Sequence, residues 1–112
     1  MFELLFLHGD PVMVDHTPGV AVAAGEVVVV GNVPCVAHAA IPANALGAVA
    51  SHGGVYQGLS GGAIGTNVLV YWDKAANRVT VTAAGNTPLG WSLNSTAGAG
   101  ENVRVQHMPR PA

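Results

Sequence analysis

Short runs of alternating apolar and polar residues dominate the C-terminal half of the chain, and this alternation is typical of strands that bury one face. In the run 78–83, Val79 and Val81 point to one side while the polar residues between them point to the other. The same pattern predicts two further inward-facing sets: Leu89, Trp91 and Leu93 in the run 89–94, and Val103 and Val105 in the run 102–107. Together with a strand over 67–72, these segments predict an all-β fold, a single small β-sandwich or barrel-like domain of short antiparallel strands.

The N-terminal half is divided by glycine and proline into similar short segments, which predict strands over 2–7, 12–15, 27–30 and 33–39. The unbroken valine run 27–30 favours a strand that is buried on both faces. Because proline cannot donate a backbone hydrogen bond, Pro34 places the following strand near the edge of its sheet.

The middle of the chain is compatible with two interpretations. Residues 43–50 suit a helical turn by propensity, but Pro42 and Gly47 disfavour a helix. The runs 46–51 and 55–58, separated by a glycine pair, suit a hairpin equally well, and we favour strands. The glycine-rich run 58–65 is interpreted as a flexible connection.

The composition indicates a protein that works in an assembly. The chain has 112 residues, enough for one domain spanning residues 1–112. Only 9% of the residues are charged and 50% are hydrophobic, whereas roughly 25% are charged in typical globular proteins. A small domain with so few charges leaves apolar surface exposed, and large apolar patches usually mark contacts with partners. No run approaches the ~20 apolar residues of a membrane helix, and no secretory signal is expected.

The apolar N-terminal segment is the candidate contact surface. Residues 1–10 are predicted to form an apolar strand or arm, and residues 108–112 a loose tail. The contact candidates are Phe2, Leu4, Leu5, Phe6 and Leu7. Since they are apolar on both faces of a strand, one face meets the core of the domain and the other is left for a partner.

The charge pattern and the spacing of potential metal ligands argue against nucleic acid, metals and cofactors as partners. The net charge is −2 and the chain has only four basic residues, so nucleic-acid binding is not expected. The five histidines show no ligand-like spacing, and Cys35 with His38 is a weak pair, so no metal and no other cofactor are expected. The single cysteine is interpreted as a small buried hydrophobic residue.

No catalytic site is expected, and the chain is predicted not to be an enzyme. Residues 58–62 match the G-x-S-x-G pattern around Ser60, but no helix follows that could hold the serine in an exposed, strained turn. Trp72 and Trp91 could stack on a ligand, although packing in the core is favoured because both lie among apolar neighbours.

Four segments carry a resemblance to a known family. They follow one another in the order Val70-Tyr71-Trp72-Asp73, Arg78-Val79-Thr80-Val81-Thr82, Gly85-Asn86-Thr87-Pro88-Leu89-Gly90-Trp91 and Gly100-Glu101-Asn102-Val103-Arg104-Val105. In this order and spacing they resemble the capsid decoration (cement) proteins of tailed phages. The segments 18–31 and 54–56 resemble the opening and one strand of that family more loosely.

The resemblance implies a function. Such a protein binds the outer surface of a phage head, commonly as a homotrimer at threefold or quasi-threefold positions, and stabilises the capsid by bridging major capsid protein subunits. The resemblance also implies a virion protein that is made in the host cytoplasm and has no catalytic residues. The alternative is a ligand- or carbohydrate-binding β-module that uses Trp72 or Trp91.

Overall fold

The computed structural model describes residues 3–109, which contain ten strands and no helix. The strands are β1 (Leu5–His8), β2 (Val12–His16), β3 (Val27–Val30), β4 (Val33–Ala37), β5 (Gly47–His52), β6 (Val55–Gly61), β7 (Leu69–Asp73), β8 (Arg78–Thr80), β9 (Thr87–Ser92) and β10 (Ala99–His107). The all-β fold predicted from the sequence is confirmed.

Five strands close into a barrel in the order β6-β10-β9-β7-β8. Four of the junctions are antiparallel, and the barrel is closed by a parallel contact in which Ser60 of β6 lies opposite Val79 of β8. β8 and β1 share the same edge of β6. β8 pairs near the end of β6, at Ser60, and β1 pairs with the beginning of β6, at residues 55–57. β1 is therefore a sixth strand attached to the outside of the closed ring.

A second antiparallel sheet, in the order β2-β5-β4-β3, packs against the barrel. Val27, Val36 and Ala50 on its inner face join the core of the barrel, which includes Tyr56 and Trp72. The opposite face holds a smaller cluster, consisting of Val22, Cys35, Ala37, Ile41 and Val49. The second sheet thus has apolar contacts on both of its faces.

The two sheets are continuous through a bent two-stranded ribbon. β1 pairs with β6, and the next strand, β2, pairs with β5, which directly precedes β6. Residues 5–16 therefore run antiparallel to residues 47–57, and both chains bend from one sheet into the other, at residues 9–11 and 53–54. We call residues 5–16 the bent edge strand.

The bend depends on glycines that lie in backbone contact. A β-carbon on Gly9 would lie 2.8 Å from the α-carbon of Gly54, and these residues have φ values of +107° and +84°. A residue with a side chain is strained at such φ values, and here it would also meet backbone that cannot move aside. Because the two chains approach this closely, they can turn together without losing their pairing.

Several predicted elements differ from the structure. The proposed hairpin over 46–58 is wrong, because β5 and β6 belong to different sheets and the glycine pair between them forms the bend. The proposed flexible connection over 58–65 is also wrong in its first part, since β6 extends to Gly61. β4 lies between two strands instead of at an edge, and Pro34 is accommodated because β5 pairs only with Val36 and Ala37.

The valine run and two predicted inward faces also need correction. β3 is an edge strand, so only Val27 of its four valines is fully buried. Val81 is 48% exposed because β8 ends one residue before it. Trp91 is half-buried and not in the core, because Leu89 forms a β-bulge between the pairs Val70–Gly90 and Tyr71–Pro88. An extra residue in a strand reverses the alternation that follows it.

Replacing Gly9 with alanine is expected to destabilise the protein by about 2–3 kcal/mol, the combined cost of a strained φ and a displaced backbone. Urea denaturation measures this as a decrease in the free energy of unfolding. The matched control is Gly19→Ala, because a β-carbon at Gly19 meets nothing within 4 Å. The control should change stability by less than about 0.5 kcal/mol. Equal stability of the two variants would contradict the role given to the bend.

Candidate interaction surface

The bent edge strand exposes large apolar side chains on both of its faces. Every residue of β1 is exposed, as is every residue of β2 except the half-buried His16. Six large apolar side chains lie in this segment, each between 36% and 46% exposed: Leu5, Phe6, Leu7, Val12, Met13 and Val14. A strand of a two-layer fold normally buries one face, so this exposure makes the segment a candidate contact surface.

The outer backbone edge of the same segment is open. β1 and β2 are the terminal strands of their respective sheets. Apart from the pairing of β1 with β6 and of β2 with β5, no backbone-to-backbone hydrogen bond among residues 3–109 reaches residues 5–16. Soluble proteins usually protect such an edge with lysine, proline or a covering loop. This segment has no lysine, and its single proline, Pro11, lies in the link between the strands.

The beginning of the segment is fixed firmly to the body of the protein. The backbone N–H groups of Glu3 and Leu4 both donate to the carbonyl of Gly25, at 3.0 and 3.1 Å. The Glu3 carboxylate accepts a hydrogen bond from the backbone N–H of Val27, at 3.0 Å, and lies 3.5 Å from the Lys74 ammonium group. Leu5 to Leu7 are therefore presented from an anchored start.

The structure changes the predicted contact set. Leu4 is fully buried in the core, so it is a packing residue and not part of the surface. Phe2 lies outside the described residues. Leu5, Phe6 and Leu7 are exposed as expected, although one face of Phe6 packs against His38 and Tyr56, with ring centroids 4.9 and 5.4 Å apart.

A half-open cavity adjoins the bent edge strand where the two sheets meet. Its volume is about 190 Å³. The lining residues are Leu4, Leu5, Phe6, Gly25, Val36, Ala37 and His38. An apolar cavity of about 150 Å³ can hold a benzene molecule. This cavity is therefore large enough to receive one apolar side chain.

Val12, Met13 and Val14 belong to the same exposed set, although the candidates chosen from the sequence ended at Leu7. The sequence offered the same signal for β2 as for β1, namely apolar side chains on both faces of a short strand. That signal was not decisive, because the sequence did not show that β1 and β2 form one continuous edge.

The remaining predicted motif residues shape the barrel. Trp72, Val79, Leu89, Val103 and Val105 are fully buried. Tyr71 and Asp73 are half-buried on the outer face of β7. The Asp73 carboxylate accepts a hydrogen bond from the backbone N–H of Ala76, at 3.2 Å, and thereby caps the turn to β8.

Ser60 has a structural role. It is fully buried, its hydroxyl donates to the carbonyl of Gly98 at 2.6 Å, and it accepts from the backbone N–H of Glu101 at 3.1 Å. Both interactions tie the start of β10 to β6. A nucleophilic serine needs exposure and a neighbouring base, and here the hydroxyl is already committed to the backbone.

The titratable groups of residues 3–109 form no cluster suited to a metal ion. Within residues 3–109, no group of three or more His, Cys, Asp or Glu side chains is arranged to hold a metal ion. Cys35 is buried, and burial raises the pKa of its thiol. Trp72 is fully enclosed, so of the two tryptophans only Trp91 has accessible surface.

Two adjacent leucines offer a matched test of the boundary between core and surface. Leu4→Ala should lower the free energy of unfolding by about 3 kcal/mol, because it leaves a cavity in the core. Leu5→Ala, at a side chain that is 39% exposed, should cost less than about 1 kcal/mol. Urea denaturation of both variants measures the difference. A larger loss for Leu5→Ala would contradict the assignment of these two residues.

Comparison with known proteins identifies the family of this chain. The described part of the chain contains no helix that is long and apolar enough to cross a membrane. No curated protein and no solved structure matches the chain significantly. The sequence profile of a family described as phage cement protein matches residues 7–107, which is nearly the whole chain. The chain belongs to the phage cement protein family.

Proposed function

We propose that this protein binds the outer surface of a phage head as a homotrimer and stabilises the capsid by bridging major capsid protein subunits. Membership of the phage cement protein family indicates a structural role associated with the phage capsid. The observation that carries the more specific proposal is the bent edge strand, with its open backbone edge and six exposed apolar side chains.

The dimensions of the surface suit such a role. Twelve residues at about 3.3 Å each give the bent edge strand a contour length of about 40 Å. The molecule measures 40 × 28 × 27 Å, so the contour length of the segment is comparable to its longest dimension. A stable interface buries about 800 Å² per partner, and obligate interfaces are the more apolar ones. An apolar edge of this length is a suitable centre for such an interface.

Stabilisation follows from mass action. A protein that binds neighbouring capsid subunits only when they are assembled favours the assembled shell by an amount that increases with its occupancy. This stabilisation of the shell requires no catalysis. It requires only a bound protein that keeps its shape. The closed barrel, with its fully buried core, provides that stiffness.

A trimer accounts for the scarcity of charge. In a threefold ring, each copy presents one surface to the copy on one side and a different surface to the copy on the other. The bent edge strand of one copy would then lie against a different part of its neighbour, while another part of the exposed surface meets the shell. Such an arrangement covers apolar area that a free monomer leaves in water.

A charge placed on the bent edge strand should weaken the association. Leu7→Lys in β1 and Met13→Lys in β2 each put a cation on a side chain that is 38% or 41% exposed, so folding should be preserved. We expect at least about tenfold weaker retention on heads that lack the protein, equivalent to about 1.4 kcal/mol. Co-sedimentation measures the retention, and thermal disruption of the heads measures the stabilisation.

The matched control is Val81→Lys, at a side chain that is 48% exposed and lies outside the bent edge strand. This variant should bind heads as the unaltered chain does. Native mass spectrometry should give a trimer for the unaltered chain. A monomer at all concentrations, together with full retention of Leu7→Lys and Met13→Lys on heads, would contradict the proposal.

A further inference from the structure

His107, the last residue of β10, holds the bend from inside the protein. Its backbone N–H donates to the carbonyl of Gly54 at 3.0 Å, and its carbonyl accepts from the N–H of Gly53 at 2.6 Å. Its imidazole reaches the other sheet, where Nε2 lies 2.6 Å from the carbonyl oxygen of Pro34. One residue therefore connects β10, the bend and β4.

The partner of the imidazole fixes where its proton lies. A carbonyl oxygen can only accept a hydrogen bond, so Nε2 of His107 carries the hydrogen and donates it to Pro34. Nδ1 is then the basic nitrogen. It is buried without a hydrogen-bond partner among the described residues. A second proton would have to be placed on Nδ1, where no acceptor receives it.

The surroundings of His107 also oppose a positive charge. The ring of Tyr56, from β6, packs edge-on against the imidazole with centroids 5.3 Å apart, and burial raises the pKa of the Tyr56 hydroxyl so that it stays neutral. The charged groups that act on His107 are His52, at the end of β5, and His38, which follows β4. Both repel a cation when they are protonated, and no carboxylate forms an ion pair with His107 among residues 3–109.

We propose that His107 makes the junction between the two sheets sensitive to acid. Protonation of its Nδ1 loosens the bend and thereby changes the conformation of the bent edge strand. This inference concerns the isolated chain and does not depend on binding to heads. It makes the geometry of the interaction surface responsive to acid.

The pKa of His107 gives the direction of the effect. Burial, as the main cause, lowers the pKa of His107 from its ordinary value of about 6.5 to about 4. The unfolded chain therefore takes up the proton before the folded chain does. The stability that comes from neutral His107 is complete above about pH 6.5 and is lost as the pH falls from 6.5 towards 4.

His38 serves as a contrast because its hydrogen-bond partner can accommodate a proton, although burial lowers the pKa of His38 too. Its Nε2 lies 2.6 Å from the Tyr56 hydroxyl, a group that can either donate or accept. The side chain of His38 is also exposed, so water can stabilise the charge. Protonation of His38 leaves its hydrogen bond to Tyr56 possible, whereas protonation of His107 leaves an unpaired buried charge.

The test is the pH dependence of unfolding in urea for the unaltered chain and for His107→Gln. Glutamine keeps an N–H that can reach the Pro34 carbonyl, but it does not titrate. Between pH 7 and pH 5, the unfolding equilibrium constant attributable to His107 should rise about 20-fold in the unaltered chain, and this rise should be absent in His107→Gln. His52→Gln, which removes an exposed neighbour, should keep most of the rise. An equal rise in His107→Gln would overturn the proposal.

A second measurement on the unaltered chain covers the case in which His107→Gln does not fold. NMR of the imidazole nitrogens should show the Nε2–H form of His107 at pH 7, and that form should persist in the folded chain to about pH 4. The amide of Gly53, which donates to His107, should exchange with solvent faster as the pH approaches 4 than a core amide of β10 does, after correction for intrinsic rates. An Nδ1–H form, or protonation near pH 6.5 without faster exchange at Gly53, would overturn the proposal.

Discussion

The fold depends on one close backbone contact, between Gly9 and Gly54, at which a two-stranded ribbon turns from the barrel into the second sheet. Because no side chain separates the two chains, both bend at the same point and remain paired on either side. The backbone of His107 bonds to the same bend from β10. The relative placement of the barrel and the second sheet is therefore set by glycine geometry, and the apolar core fills the space that this geometry leaves.

The same contact explains why the bent edge strand is exposed. Bending the ribbon puts its outer chain, residues 5–16, at the boundary of both sheets at once. A chain in that position has a strand neighbour on one edge only, so its outer backbone edge stays open. Its side chains are exposed as well. Most isolated edges of this kind would promote aggregation. In a protein that belongs to the phage cement family, such an edge is instead suited to contacts within an assembly.

The sequence predicts the local elements well and their arrangement poorly. Alternating valines and turn residues predict the strands around Val79 and Val103, because side-chain alternation is a local property. Whether β5 and β6 form a hairpin or cross between sheets depends on long-range pairing that no local pattern encodes. The bulge at Leu89 likewise reverses the exposure of Trp91 without any signal in the alternation. The exposure of Leu5 to Leu7 was predictable, but its extension to Val14 required the paired ribbon to be seen.

Hydrogen–deuterium exchange of the protein on phage heads, compared with the free chain at low concentration, tests the central claim most directly. The bent edge strand has an open backbone edge in the isolated chain, so its outward amides should exchange readily there. If this segment is the contact surface, residues 5–16 become protected on heads, while the turn at 74–77 exchanges as before. Unchanged exchange over residues 5–16, with new protection confined to the outer face of the barrel, would contradict the account.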